Sequence, residues 1–248
     1  MNNYDQNQFS DYTVVDSKTG TRSLSKTFMA NVFMWMFAAL GVSAFMAYLF
    51  ANNDYLMSFL IGETGLSMFG YIVMFAPLGF VMLMSFGFNR LSAPALTGVF
   101  LLYAAINGIS FSFLLKAFSD ASIIGCFASA AAMFGIMAVM GYTTDQDLTK
   151  FGRIMMMGVI GILIASVINW FLGSSGLDYL ISIIGVAVFT GLTAYDVQKL
   201  KHIGMGAEME GLPAVSTKKM AIFGALNLYL DFIMIFIFLL RLFGGRRD

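Results

Sequence analysis

The residues that could carry chemistry in this sequence are a few charged side chains within apolar runs. Asp231 lies inside the run 220–240, where most other residues are Ile, Phe, Leu, Met or Ala. A carboxylate in the middle of a membrane costs about 2.5–3.5 kcal/mol on insertion scales, so it usually faces the protein interior and has a function. Asn227 is four residues away and therefore shares a helical face with Asp231. We interpret this stripe as the polar edge of a helix that faces other helices.

Two further charged residues stand at the ends of apolar runs. Asp196 ends the sixth run, with Thr193 three residues earlier on the same face, and Arg90 closes the second run. Each of the three charged residues also has a simpler interpretation. Asp196 could be an interfacial carboxylate, Arg90 a topological anchor, and Asp231 a structural hydrogen-bond acceptor.

Motifs of known enzyme classes do not accompany these residues. The sequence has one histidine, His202, beside Lys201, and one cysteine, Cys126, in an apolar run. It contains no HExxH, no GxSxG and no phosphate-binding glycine loop. Tyr195-Asp196 resembles half of an intramembrane aspartyl protease site, but no Gly-x-Gly-Asp follows it. We therefore expect no enzymatic activity and no resident cofactor.

The composition predicts a protein that crosses the membrane several times. Of the 248 residues, 59% are hydrophobic and 11% are charged, whereas a soluble domain has roughly 25% charged residues. The net charge is zero, so nothing points to a nucleic-acid partner. Seven apolar runs, each near the ~20 residues that a bilayer requires, predict an all-α bundle of seven transmembrane helices. The predicted spans are 28–51, 67–88, 93–116, 121–142, 154–173, 177–198 and 219–241.

The segments outside these runs complete the predicted organisation. Residues 1–26 are polar and predict a disordered cytoplasmic tail, 27–243 form the seven-helix transmembrane domain, and 244–248 are a short basic tail. The tail lacks the apolar segment of a signal peptide. Between the spans, the longest predicted loop is 199–218.

The distribution of lysine and arginine predicts the orientation. Ten basic residues fall on the side of the amino terminus and four on the other side. The first set is Lys18, Arg22, Lys26, Arg90, Lys150, Arg153, Lys199, Lys201, Lys218 and Lys219, and the second is Lys116, Arg241, Arg246 and Arg247. The amino terminus should therefore be cytoplasmic. A re-entrant last segment would bring the carboxy-terminal arginines back to the cytoplasm, but the last run is long enough to cross.

Four stretches of the sequence resemble the signature of the Bax inhibitor-1 family, most closely its bacterial inner-membrane members. They are Gly191-Leu-Thr-Ala-Tyr-Asp196-Val-Gln-Lys-Leu-Lys201, Gly224-Ala-Leu-Asn-Leu-Tyr-Leu-Asp231-Phe-Ile, Leu239-Leu-Arg-Leu-Phe-Gly244 and Gly141-Tyr-Thr-Thr-Asp145-Gln-Asp147-Leu. The resemblance implies a seven-helix bundle in which the last helix is central. It also implies that Asp196 and Asp231 form a pH-sensing pair, with Arg90 latching one of them.

Elementary electrostatics is compatible with such a pair. Two carboxylates that share a dry site cannot both ionise cheaply, so they titrate together, and a nearby Arg90 opposes this by favouring the ionised form. The result is an element with two nearly balanced states, which a pH switch needs. Calcium prefers oxygen ligands, so Asp196 and Asp231 are candidate calcium ligands, with Asn227 and Thr193 as supporting polar residues.

Two functions follow as expectations. The first, implied by the resemblance, is a pH-sensitive leak channel or transporter for calcium or another cation in the bacterial inner membrane. The second is a non-conducting membrane regulator that binds another membrane protein, such as a quality-control protease. A regulator could depend on the polar amino tail, whereas a leak should survive its removal.

Overall fold

A computed structural model describes residues 17–62, 65–87, 90–209 and 213–245, and most of them are helical. The helices are α1 (Ser17–Ala51), α2 (Asp54–Ser58), α3 (Met68–Gly87), α4 (Ala93–Ala117), α5 (Asp120–Thr143), α6 (Thr149–Leu172), α7 (Ser175–Met209) and α8 (Ala214–Phe243). A two-stranded antiparallel hairpin, β1 (Ile61–Gly62) and β2 (Gly65–Leu66), lies between α2 and α3. The prediction of an all-α, multi-pass membrane protein is confirmed.

Six of the described helices are long and apolar enough to cross a membrane. They are α4, α5, α6 and α8 over their full lengths, α1 from Ser25 and α7 as far as Ala207. The second predicted span coincides with α3, which has 20 residues and contains Pro77. A straight helix of that length would span about 30 Å. The count of seven crossing helices stays a prediction.

Several helix ends coincide with capping residues at the borders of the apolar runs. The Ser92 hydroxyl accepts a hydrogen bond from the backbone of Ala95 at the start of α4, and Ser119 caps α5 in the same way. At the end of α6, Gly173 adopts a left-handed conformation with φ of 61°. These caps pair backbone groups that the first and last helical turns leave without partners.

The structure differs from the predicted boundaries where a helix continues beyond its apolar run. The predicted loop 199–218 is wrong, because α7 extends to Met209 and α8 begins at Ala214. The extension is amphipathic: Leu200 and Gly204 are buried while His202 is exposed. The mean hydropathy therefore falls after residue 198 although the helix continues, because only one face of the extension is apolar. At the amino end, α1 begins at Ser17, inside the predicted tail, and residues 1–16 and 246–248 of the two predicted tails lie outside the described residues.

Burial is concentrated in the last two helices. The apolar windows of α7 and α8 are 61% and 72% buried, against 6% to 33% in the other four candidate spans. α8 contacts α1, α4, α5 and α7, while α7 contacts α1, α5, α6 and α8. Most residues in the apolar windows of α7 and α8 are therefore covered by the surrounding helices.

The ends of the bundle are defined by contacts between distant residues. At one end, which we call the Gly245 end, the backbone N–H of Ser119 donates to the Gly245 carbonyl oxygen over 3.0 Å, and Arg241 lies 3.4 Å from Asp178. At the other end, the Gly204 end, Gly204 packs against Phe28 of α1. α8 therefore runs from the Gly204 end to the Gly245 end.

Two helices approach each other unusually closely beside Asp196. A Cβ atom on Gly141 of α5 would overlap the backbone of Ala194 in α7, whereas a Cβ atom on Gly135 of α5 would meet open space. Glycine at position 141 thus lets α5 reach the α7 backbone two residues before Asp196. Small residues commonly permit such contact between membrane helices.

We expect Gly141→Ala to destabilise the bundle, because the added methyl group must displace the α7 backbone. Overpacking of this kind typically costs about 1–3 kcal/mol. The midpoint of thermal unfolding in detergent should fall for Gly141→Ala and stay unchanged or rise slightly for the control, Gly135→Ala. Equal midpoints for the two variants would contradict the close approach.

Candidate functional site

The two aspartates predicted to act together lie on packed neighbouring helices. Asp196 of α7 and Asp231 of α8 are only 7% and 4% exposed, and they are close enough to interact electrostatically. Asp196 is not at a helix end, because α7 continues to Met209, about 20 Å further along the axis at 1.5 Å per residue. Its burial does not fit an exposed interfacial carboxylate.

One oxygen of Asp231 has no hydrogen-bond partner among the described residues. Its Oδ2 atom is buried and makes no hydrogen bond to any described residue. Buried polar atoms in native proteins are normally paired, so an unpaired carboxylate oxygen calls for a proton, an ion or a water molecule.

A cleft of about 120 Å³ leads toward the pair from the Gly204 end. It is lined by Asp196, Lys199, Leu200, Ile203, Met220, Phe223, Gly224 and Asn227. Asn227 is half-buried at the level of Asp196, and Asp231 lies one helical turn further along α8. Asp196 is thus reached from the cleft, whereas Asp231 stands behind it.

Thr193, predicted as a supporting polar residue, does not contact the aspartates through a hydrogen bond. Its side chain is fully buried, and its hydroxyl donates to the carbonyl oxygen of Phe189 over 2.9 Å within α7. The hydroxyl proton is therefore already used inside the helix.

The structure does not bring Arg90 to the aspartate pair. Arg90 is exposed in the turn between α3 and α4, and among the described residues it makes no ion pair within 4 Å. The cation beside Asp196 is Lys199, which lines the same cleft and interacts with it electrostatically. Sequence reasoning missed Lys199, although its position three residues after Asp196 places the two on one helical face.

The side chains of α7 next to Asp196 hold the loop between α5 and α6. The amide of Gln198 donates to the Gln146 carbonyl oxygen over 2.7 Å, and its Oε1 accepts from the Leu148 backbone N–H over 2.8 Å. The ammonium of Lys201 donates to the Tyr142 carbonyl oxygen over 2.8 Å. These bonds attach the loop to the helix that carries Asp196, and sequence reasoning did not identify them.

Asp147 in this loop caps the start of α6. Its carboxylate accepts a hydrogen bond from the Thr149 backbone N–H over 2.9 Å. Hydrogen bonds from Thr149 hold the pKa of Asp147 below its ordinary value, and the nearby His202 and Lys150 lower it further. The beginning of α6 is therefore a place that already stabilises a negative charge.

A separate polar contact fixes the other side of α8. The Ser43 hydroxyl of α1 donates to the Ala104 carbonyl oxygen of α4 over 2.7 Å and lies 2.8 Å from the hydroxyl of Tyr229. Because Ser43 has one proton, Tyr229 is the donor in the second bond. The rings of Phe100 and Tyr103 meet Tyr229 edge-on at 6.1 and 5.8 Å. Three helices are thus joined beside Asp231.

The described residues contain no cluster of three or more His, Cys, Asp or Glu side chains that could hold a metal ion. The candidate calcium ligands Asp196 and Asp231 are therefore a pair without a third acidic or imidazole partner in this part of the chain. Calcium usually takes six to eight oxygen ligands. Any cation at this pair would need most of its ligands from water or backbone carbonyl oxygens.

Comparison with known proteins adds an independent observation. Residues 25–248 match the family model described as "Inhibitor of apoptosis-promoting Bax1". The match includes α7 and α8, with both aspartates.

Full-length relatives occur in several bacteria. The chain is 41% identical over 232 residues to "Inner membrane protein YbhL" of Escherichia coli, covering 94% of this chain and 97% of that protein. It is 41% identical to an uncharacterized protein of Deinococcus radiodurans, covering 90% of this chain and 92% of the relative. It is also 35% identical to an uncharacterized membrane protein of Streptococcus pyogenes, covering 88% and 92%.

Proposed function

Because this chain belongs to the Bax inhibitor-1 family, we propose that it is a pH-sensitive leak channel or transporter for calcium or another cation. The observation that carries the proposal is the buried aspartate pair, in which Asp231 has an unpaired oxygen and Asp196 faces a cleft. A negatively charged pair attracts a cation, and a protonated pair does not. The number of protons on the pair would therefore set how well a cation enters.

The small number of oxygen ligands favours weak, transient binding of the cation over tight binding. The two carboxylates and the Asn227 side chain supply fewer oxygens than the six to eight that calcium takes, so the ion would keep part of its water shell. Conduction requires binding that is strong enough for entry and weak enough for release. A pair reached through a partly open cleft meets both conditions.

We further propose that seven helices cross the bacterial inner membrane around a central α8, with the amino terminus in the cytoplasm. Support comes from the burial of α8, from its course between the two bundle ends, and from the excess of basic residues at the Gly204 end. The Escherichia coli relative is named as an inner membrane protein.

Cysteine labelling in whole cells tests this orientation, since Cys126 is buried and should give little background. A membrane-impermeant maleimide should label Asp54→Cys at the Gly245 end in intact spheroplasts. It should label Asp145→Cys in the loop at the Gly204 end only after lysis. The reverse pattern would place the amino terminus outside.

Asp231→Asn and Asp196→Asn should each change the pH profile of calcium flux into proteoliposomes, and the double variant should abolish its pH dependence, while the protein stays folded. Asparagine has nearly the same shape as aspartate and still forms hydrogen bonds, but it has no titrating proton. Flux is measured with a calcium-sensitive dye between pH 5 and pH 8, and Asp145→Asn, which changes an exposed loop carboxylate, is the matched control.

A wild-type pH profile in Asp231→Asn would rule out Asp231 as the sensor. If wild-type protein produced no flux above that of empty liposomes, the leak proposal would fail, and the non-conducting regulator that binds another membrane protein would be preferred.

We also propose that Arg90 binds an aspartate of the pair in a closed state of the protein. This state would differ from the structure described above, in which Arg90 is exposed. The planar guanidinium can hold a carboxylate through two parallel hydrogen bonds, which lysine cannot reproduce. We expect Arg90→Lys to raise flux at neutral pH, and Arg90→Ala to raise it by at least about ten-fold, because even one hydrogen bond to a charged group is worth about 1.5–3 kcal/mol.

The increase should disappear in the double variant with Asp196→Asn, because residues that act as a pair are not additive. Lys26→Ala removes an exposed charge from the same end and should have no effect. Equal, low flux in wild type, Arg90→Lys and Arg90→Ala would return Arg90 to the role of a topological anchor.

A further inference from the structure

A second cavity lies beside the cleft at the Gly204 end, between α6 and α7. We call it the α6–α7 pocket; it has a volume of about 300 Å³ and is lined by Thr149, Tyr195, Gln198, Lys199, His202 and Ile203. Five of these six side chains can form hydrogen bonds, and the proposed leak assigns no role to any of them, although Lys199 also lines the cleft.

Two basic side chains and the start of a helix make this pocket a candidate anion site, although the carboxylates of Asp196 and Asp147 interact with Lys199 and His202. Lys199 is exposed and His202 is exposed, and neither makes an ion pair within 4 Å to a described residue. The positive end of the α6 dipole also lies here, because α6 begins at Thr149. The backbone N–H of Thr149, the first residue of α6, already donates a hydrogen bond to the Asp147 carboxylate.

The first turn of α6 retains capacity for a second anion. Its N-cap residue, Leu148, offers no side-chain cap. The Thr149 N–H donates to the Asp147 carboxylate and the Gly152 N–H donates to the Leu148 carbonyl oxygen, whereas the N–H groups of Lys150 and Phe151 have no hydrogen-bond acceptor among the described residues. Free N–H groups at a helix start are typical anion ligands.

The surface next to the pocket indicates which kind of anionic molecule the pocket would bind. Arg153 is exposed one turn beyond Thr149 on the same face of α6. Beyond it the exposed residues of α6 are apolar, with Ile154, Met157 and Ile160 between 55% and 71% exposed. The apolar window of α6 is 6% buried, the lowest value among the six candidate spans. A ligand with a charged head group and an apolar body fits a basic surface that is followed along α6 by an apolar one.

We propose that the α6–α7 pocket binds the phosphate group of an anionic phospholipid, with Lys199, His202 and the start of α6 as ligands and the acyl chains along α6. Basic pockets between membrane helices are known to bind anionic head groups, each basic residue near the surface contributing about five-fold in affinity. This binding does not depend on the proposed leak, and its test does not use flux.

Native mass spectrometry of protein released from vesicles of equal phosphatidylglycerol and phosphatidylcholine tests the proposal. A large fraction of wild-type protein should retain one phosphatidylglycerol. That fraction should fall about five-fold for Lys199→Gln and further for Lys199→Gln combined with His202→Gln. Lys218→Gln, which removes an exposed lysine from α8 at the same end, should leave it unchanged.

Asp147→Asn provides a test in the opposite direction. Asparagine caps a helix as well as aspartate does, but it removes the negative charge that competes for the start of α6. The retained phosphatidylglycerol should therefore increase. Equal losses in Lys199→Gln and Lys218→Gln, or unchanged retention in both Lys199 variants, would overturn the site. Displacement of the lipid by millimolar inorganic phosphate or glycerol phosphate would overturn the lipid assignment in favour of a soluble phosphate ligand.

Discussion

Two carboxylates that are buried at membrane depth constrain the rest of this molecule. A carboxylate exposed to lipid would be costly, so the helices that carry Asp196 and Asp231 must be enclosed by others. The observed burial agrees with this requirement, because α7 and α8, which carry the aspartates, are the most buried candidate spans and α6 is the least buried. The close approach of α5 at Gly141 and the contact of Ser43 with Tyr229 enclose the pair from two further directions.

Much of this arrangement could be predicted from the sequence because the membrane makes hydropathy informative. Each predicted span contains a helix, and Asp196 and Asp231 lie on neighbouring packed helices, as expected. The ends of helices that extend beyond the apolar runs could not be predicted, because hydropathy no longer marks them there. The extension of α7 to Met209 is amphipathic, and composition alone made it resemble a loop. The partnership of Lys199 with Asp196 depends on that extension.

Arg90 illustrates a different limit of the sequence. Its place at the end of the second apolar run is compatible with an anchor and with a latch, and the turn that carries it is exposed in the structure. Long-range pairing depends on how α3 and α4 are oriented against α7, which no local pattern encodes. The bonds of Gln198 to the loop between α5 and α6 are of the same kind, since they join residues about fifty positions apart.

Hydrogen bonds and an ion pair fix the carboxy-terminal end of α8 at the Gly245 end of the bundle. Ser119 and Ser122 form hydrogen bonds with the backbone of Gly245, and Arg241 lies 3.4 Å from Asp178. Asp231 lies about 18 Å from the held end of the helix and about 26 Å from its start. Any tilt of α8 about the held end would therefore be larger at Met220 and Phe223, which line the cleft, than at the aspartate itself. A small displacement at the pair is geometrically amplified where the cleft opens.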